Sequence, residues 1–247
     1  MDRYDHGFYD DLRNTALPSA RRIVPMLRDL MKIDSVVDVG CGDGSWLSVF
    51  RDTGAKKVLG LDGDWIDESL LNIARDDFRR VRLDEPMEVA DTFDLAMSLE
   101  VAEHLRPERA PGFVAELCGL GPVVLFSAAI PRQGGVNHLN EQWPVYWANL
   151  FNSNGYRTID VLRLAIWDDP EVTWWYKQNL LLFANEDALA ANPRLAAARA
   201  NSPALPLALV HPDKFMMMAR EARPSFSRWL RKAPHAIRAS LTKHANK

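Results

Sequence analysis

The stretch VVDVGCGDGSWLSVF, residues 36–50, constrains this chain more than any other. An apolar run around a single acid predicts a short buried strand over 35–39, and the apolar spacing from 44 to 50 predicts the start of a helix. Between them stand Gly40, Gly42 and Gly44. Glycine accepts backbone angles that other residues resist and lets a ligand lie against the chain, while a helix start leaves backbone N–H groups free. A strand, a glycine turn and a helix in that order point to an open α/β sheet, whose ligands gather at the carboxyl ends of the strands.

The remaining chain continues the alternation. Apolar runs predict strands over 57–61, 78–83, 93–99, 123–128, 156–164 and 178–184. Helices are expected over 19–32, opened by Pro18 and Ser19, then over 65–73 and 144–154. Strands and helices in alternation imply a mainly parallel sheet covered on both faces. After residue 184 the composition shifts to Ala, Pro and Arg, so residues 1–184 are read as one domain with helix 19–32 as a cap, and 185–247 as a helical or partly disordered extension. The basic residues from Arg220 to Lys247 accompany Phe226, Leu230, Ala233, Ile237 and Leu241 at helical spacing, a pattern that suits an anionic membrane surface, a protein partner or plain solvent.

With 247 residues, 47% hydrophobic content and a formal charge of -3, the chain has the makeup of a globular protein without general attraction for nucleic acid. It shows neither the order of a secretory leader nor an apolar run of about 20 residues, so the cytoplasm is the expected address. Cys41 and Cys118 have no disulfide-framework or metal-ligand spacing and are read as thiols.

The glycine spacing departs from the dinucleotide fingerprint G-x-G-x-x-G, because Ser45 stands where the third glycine belongs. Asp38 would also oppose a pyrophosphate. Asp62 follows the second strand at about the 20-residue distance where an acid meets a ribose. These features fit a ligand with a ribose and a cationic group but no phosphate, and S-adenosylmethionine (SAM) has that makeup. A nicotinamide-dependent oxidoreductase is disfavoured by the spacing and by Asp38. A non-catalytic SAM-binding domain is the other alternative. The plainest reading leaves the glycines as a tight turn and Asp62 as a surface acid.

VVDVGCGDGSWL, GLDGD and FDLAMSLEVAEHL resemble, in order and spacing, the successive motifs of class I SAM-dependent methyltransferases, the bacterial small-molecule type above all. The resemblance implies a Rossmann-like seven-stranded, mostly parallel sheet with its last strand antiparallel. It implies that Asp38, Gly40, Gly42 and Gly44 surround the methionine part of SAM and that Asp62 holds the ribose. Gly63, Asp64 and Trp65 would flank the adenine, with Leu83 and Asp84 at its edge. Cys41, Ser98 and Glu100 would border the cofactor, and S-adenosylhomocysteine would be the product.

Beyond the fourth strand the chain has Ser98-Leu99-Glu100-Val101, not the Asn/Asp, prolines and aromatic typical of amino-methyltransferases acting on nucleobases. Glu100, Glu103 and His104 match neither HExxH nor its inverse, so no metal is expected. Beyond the fifth strand, AAIPRQGGVNHLNEQWPVYW is too rich in specific groups for a plain connector, and Gly134 and Gly135 would let it move. Histidine suits the proton transfer that methylation of a hydroxyl requires, since its reference pKa is about 6.5. His138 is the expected base, oriented by Glu141 or Asn140, with His104 as the fallback. Alternatively HLNEQW only caps the next helix. Asn140, Gln142 and Trp143 would meet the acceptor, together with Trp167, Trp174 and Tyr176 as a lid or platform for a flat face; clustered aromatics are otherwise core. The expected activity is transfer to a hydroxyl, or to an amine, of a small polar acceptor such as a saccharide or other secondary metabolite.

Overall fold

The structure is a computed structural model that describes residues 6–222, with side chains from 15 to 220. The expected basic helix beyond Arg220 lies outside the described residues.

Helix α1 (His6–Leu30) leads into β1 (Ser35–Val39), α2 (Ser45–Asp52), β2 (Lys57–Asp62), β3 (Phe78–Arg80), β4 (Leu95–Leu99), α3 (Ala110–Leu120) and β5 (Val123–Ser127). The chain continues through α4 (Pro144–Ser153), β6 (Tyr156–Ile159), α5 (Leu162–Ala165), α6 (Trp174–Asn179), β7 (Leu181–Asn185), α7 (Glu186–Ala191), α8 (Pro193–Ala200) and α9 (Pro212–Ala222). The strands form one seven-stranded sheet in the order β3-β2-β1-β4-β5-β7-β6. Only β7 runs antiparallel to its neighbours.

The strands are apolar on both faces because both are covered. Val36 and Leu95 face one core with Leu27 of α1 and Phe50 of α2. Their sequence neighbours Val37 and Ala96 face the other, with Phe113 of α3 and Phe151 of α4. The strand order reverses between β1 and β4, which opens a crevice at their carboxyl ends.

Several boundaries differ from those the sequence suggests. Helix α1 starts at His6 and carries Pro18 and Pro25 inside it. Ala16, Ala20, Ile23, Val24 and Leu27, all buried, recur at helical spacing and hold it on the core, which offsets the roughly 3 kcal/mol that an interior proline costs. In place of a helix over 65–73 there is one 3-10 turn, Glu68–Leu70. The strand expected over 156–164 stops at Ile159. There Asp160 pairs with the fully buried Arg163 of α5, whose guanidinium also donates to the carbonyls of Gln178 and Leu207, each at 3.0 Å. The strand expected over 178–184 begins at Leu181, because α6 takes residues 174–179.

The first compact unit runs to Leu209. Asn185 caps α7 by accepting from the Ala188 N–H at 2.9 Å, and Ala188, Leu195 and Ala198 sit in the core. Ala-rich composition therefore marks packed helices here. The second unit starts at Val210; its described part is α9, which exposes Phe215, Met216 and Met217. Among the described residues no helix is long and apolar enough to cross a membrane.

Candidate active site

The site is built on the carboxyl ends of β1, β2 and β4. Register pairs Asp38 with Gly60 and Val39 with Leu61, so Asp62 ends beside the glycine turn. Gly40, Gly42 and Gly44 have φ of 85°, 56° and 76°, the left-handed region that favours glycine. A Cβ on Gly40 would also lie 2.3 Å from Cγ2 of Val101. The turn is tied to β2 by the N–H groups of Gly40 and Cys41, which both donate to the Leu61 carbonyl.

Asp62 braces this turn. Its Oδ2 accepts from the Gly42 N–H at 2.8 Å and its Oδ1 from the Gly63 N–H at 2.7 Å. Burial pushes its carboxyl up to about 6, against the pull of these N–H groups and the Trp65 side chain. Asp38 is more isolated: its Oδ1 is buried without a hydrogen-bond partner. Burial, then the neighbouring Asp62, holds its carboxyl well above the usual range. A buried carboxylate in that position is stabilised by a cation. The residues thus fit a cationic ligand carrying hydroxyl groups, with Asp38 for the charge, Asp62 for the hydroxyls and the glycines for close approach.

Asp38, Gly40, Cys41, Gly42, Trp46 and Tyr176 line one cleft. The Tyr176 hydroxyl accepts from Trp46 Nε1 at 3.3 Å, and burial raises its pKa, with smaller contributions from Glu100 and Asp38. Tyr176 therefore stands between the turn and the groups beyond β4. Cys41 packs on β2, where a Cβ at Gly60 would come within 2.7 Å of its Sγ. Ser98 Oγ donates to the Val39 carbonyl at 2.8 Å and clamps β4 to β1. The Trp65 indole lies across Gly63, where an added Cβ would meet its ring carbons at 2.3 Å, and is half exposed. Asp64 is an exposed partner of Arg80. Leu83 is buried, whereas Asp84 is exposed and paired with Arg82.

A second group of side chains gathers beyond β4 and β5. His138 Nδ1 lies 3.0 Å from Glu141 Oε1, and the same carboxylate accepts from the N–H groups of Arg132 and Gly134. These bonds, with the burial that opposes them, leave Glu141 below its ordinary pKa. His104 meets His138 edge to face, with ring centroids 4.9 Å apart. Burial lowers the His104 pKa and His138 lowers it further, against the backbone carbonyls of Asn137 and Val136. The backbone carbonyl of Glu103 accepts from the N–H groups of Leu139 and Asn140, which docks the loop on β4's end. Asn140 is buried; its Oδ1 accepts from Gln142, and its Nδ2 has no partner.

The sequence placed Glu100 at the cofactor. The structure surrounds it with buried amides: Gln133 Nε2 donates to it at 2.9 Å and Asn179 Nδ2 at 3.1 Å, and Gln178 Nε2 donates to Gln133 at 3.0 Å. Gln133, Gln178 and Asn179 were not singled out from the sequence, and neither was Asp43, whose side chain accepts from Ser45 and Asn72 behind the glycine turn. Only Asp43 carried a signal, as an acid two residues before a helix start. The expected aromatic lid is a helix in part: Trp174, Trp175 and Tyr176 all lie on α6, with Trp174 and Trp175 edge to face at 5.5 Å. Trp167 is partly buried outside α6, and Trp143, 40% exposed, precedes α4.

Residues 1–160 match the model of a methyltransferase-domain family. A ribosomal protein L11 methyltransferase of Thermotoga neapolitana is 38% identical over 85 residues, 31% of this chain and 31% of that protein. The match thus spans under a third of that relative's length. DesVI of Streptomyces venezuelae has a similar fold, with a TM-score of 0.54 at 16% identity over 74% of this chain and 99% of DesVI. SAM-bound CalS10, an amino pentose methyltransferase of Micromonospora echinaspora, has a TM-score of 0.53 at 12% identity over 74% and 98%. With more than half of its length matched, and with the strand order and glycine turn described above, the chain belongs to the methyltransferase-domain family, of the class I SAM-dependent type.

Proposed function

We propose that this protein transfers the methyl group of SAM to a hydroxyl of a small polar acceptor, with His138 taking the hydroxyl proton. The observation that carries the cofactor assignment is the unpartnered, buried Asp38 Oδ1 beside a turn of three left-handed glycines. SAM supplies an ammonium and a sulfonium for that carboxylate and ribose hydroxyls for Asp62. The donor carries its own good leaving group, so the protein's task is to align the acceptor and receive its proton.

The geometry at His138 supports the second half. Glu141 holds Nδ1, which leaves Nε2 as the ring nitrogen for a substrate. His104 stands beside it as the alternative. Glu100, Gln133 and Asn179 offer a wall of hydrogen-bonding groups suited to a polyhydroxylated molecule. CalS10 acts on an amino pentose, so hydroxylated and aminated sugars are the first acceptors to try. Calorimetry with SAM, followed by a screen of such acceptors for S-adenosylhomocysteine release, tests the reading. Absence of SAM binding would end it, and release confined to amine acceptors would move the target atom from oxygen to nitrogen.

A further inference from the structure

The spacing of Glu103 and His104 offered no further ligand in sequence, but the fold brings His138 to them. One ligand atom from each of Glu103, His104 and His138 lies within 4.8 Å of the others. We infer that these three side chains bind a divalent first-row transition ion. The inference rests on the reading of this end of the sheet as the acceptor site.

Four features support an ion there. Glu103 is 1% exposed, and its Oε2 has no hydrogen-bond partner. Glu100 lies beside it in the same buried site. Neither acid forms an ion pair among the described residues, so two carboxylates share a buried site with no side-chain cation fixed to them. Such a site is relieved by a bound cation.

The histidines are presented as ligands usually are. A ligating imidazole commonly gives its second ring nitrogen to a carboxylate or a backbone carbonyl, which sets the tautomer and frees the other nitrogen. Glu141 does this for His138, and the carbonyls of Val136 and Asn137 face the His104 ring. The backbone is also held in unusual conformations nearby. Among the described residues Glu100, Arg132 and Asn137 are the non-glycine positions with positive φ, and all three lie on the segments that make this site. Strain of that kind persists where the surroundings enforce it and gathers at functional sites.

Ligand atoms around one ion stand about 3 Å apart, given bonds of about 2.1 Å, so the three side chains must close by an ångström or more. The loop that carries His138 contains Gly134 and Gly135, at φ of 72° and 157°, which can take up such a shift. Two imidazoles with one carboxylate favour a first-row transition ion over magnesium, and three protein ligands leave positions for an acceptor oxygen. An ion held there would ionise the hydroxyl in place of His138, whose Nε2 could no longer take the proton while it is bound to the ion.

The test uses the full chain, stripped with a chelator and dialysed against Mn2+, Zn2+ or Mg2+, with bound metal measured by atomic emission. Expected is about one Mn2+ or Zn2+ per chain at micromolar concentration, with Mg2+ much weaker. The double variant His104→Gln/His138→Gln should lower the affinity about 100-fold, and Glu103→Gln about 10-fold or more, with SAM affinity within about twofold of the parent in both. No ion bound by the parent chain at about 1 mM metal, or equal binding by parent and both variants, overturns the site. Retained SAM affinity shows that the variants are folded. A parent chain that binds the ion but not SAM would sink the methyltransferase reading and leave the ion site standing.

Discussion

The glycine turn after β1 and the polar cluster beyond β4 and β5 occupy the same edge of one sheet, but they are assembled differently. The turn is held through its own backbone N–H groups: the Asp62 carboxylate accepts from Gly42 and Gly63, and the Leu61 carbonyl from Gly40 and Cys41. The cluster is held by side chains distant in sequence, such as Asn179 on Glu100, 79 positions apart. A backbone-built site leaves little freedom in residue choice near the ligand, since the glycines and one acid do most of the holding. A side-chain-built site can be rewritten one residue at a time.

Predictions can break or sharpen the contrast, and the largest effect belongs to the cluster. His138→Ala should lower methyl transfer to any accepted hydroxyl about 10²-fold, the usual scale of a lost general base. SAM affinity measured by calorimetry should hardly change; a matching loss of SAM affinity would merge the two regions into one.

Gly40→Ala should damage the turn next. The added Cβ meets Val101 and the φ of 85° is strained, a cost of about 1–3 kcal/mol visible as a lower melting temperature and weaker SAM binding. An unshifted melting curve would show that the turn tolerates side chains after all.

Asp62→Ala should weaken SAM about tenfold through the lost charge-assisted bonds. In the parent chain SAM affinity should decline as pH falls through about 6, where the Asp62 carboxylate takes a proton. The ligand-free protein should respond in the opposite sense. Burial raises the folded pKa, so this group's contribution to stability is present below its ordinary value of 3.8 and is lost as pH rises through about 6. The parent chain minus Asp62→Asn, compared by denaturant unfolding across that range, isolates the term; parallel pH profiles would refute it.

Asp38 provides a stoichiometric check. Its pKa is raised in the ligand-free site by burial and by Asp62, so a bound cation should lower it and SAM binding should release protons over the pH range in which Asp38 titrates. Calorimetry in buffers of different ionisation enthalpy reads that release, and Asp38→Asn should abolish it. The smallest effect expected is that of Ser98→Ala, about 1 kcal/mol of stability for one lost clamp between β4 and β1, with SAM affinity unaltered. A clear loss of SAM affinity would place Ser98 in the cofactor site and not merely beneath it.

Legibility in the sequence followed the same division. Strand β1, the glycine turn, Asp38 and Asp62 could be read because each signal is local: an apolar run, alternating glycines, an acid at the end of the next strand. The expected sheet, with its antiparallel last strand, has the observed form. The amides around Glu100 were invisible because Gln133, Gln178 and Asn179 are ordinary polar residues until β4, β5 and α6 converge. Pro18 was misleading as a helix start because the buried face of α1 outweighs it. The tryptophans of α6 read as a loop because Asp168, Asp169 and Pro170 precede them, although Thr173 ties the helix start to α1 through Ser19.

The position of Trp65 has a practical consequence. Its indole rests on Gly63, interacts with the Asp62 carboxylate and is 53% open to solvent. A nucleoside settling against Asp62 must therefore change the polarity and hydration around that ring. The chain carries its own optical probe: intrinsic emission should shift on titration with cofactor, and Trp65→Phe should remove the Trp65 share of that signal, leaving that of Trp46 in the cleft, without emptying the site. Occupancy could then be followed in real time with no label and no knowledge of the acceptor.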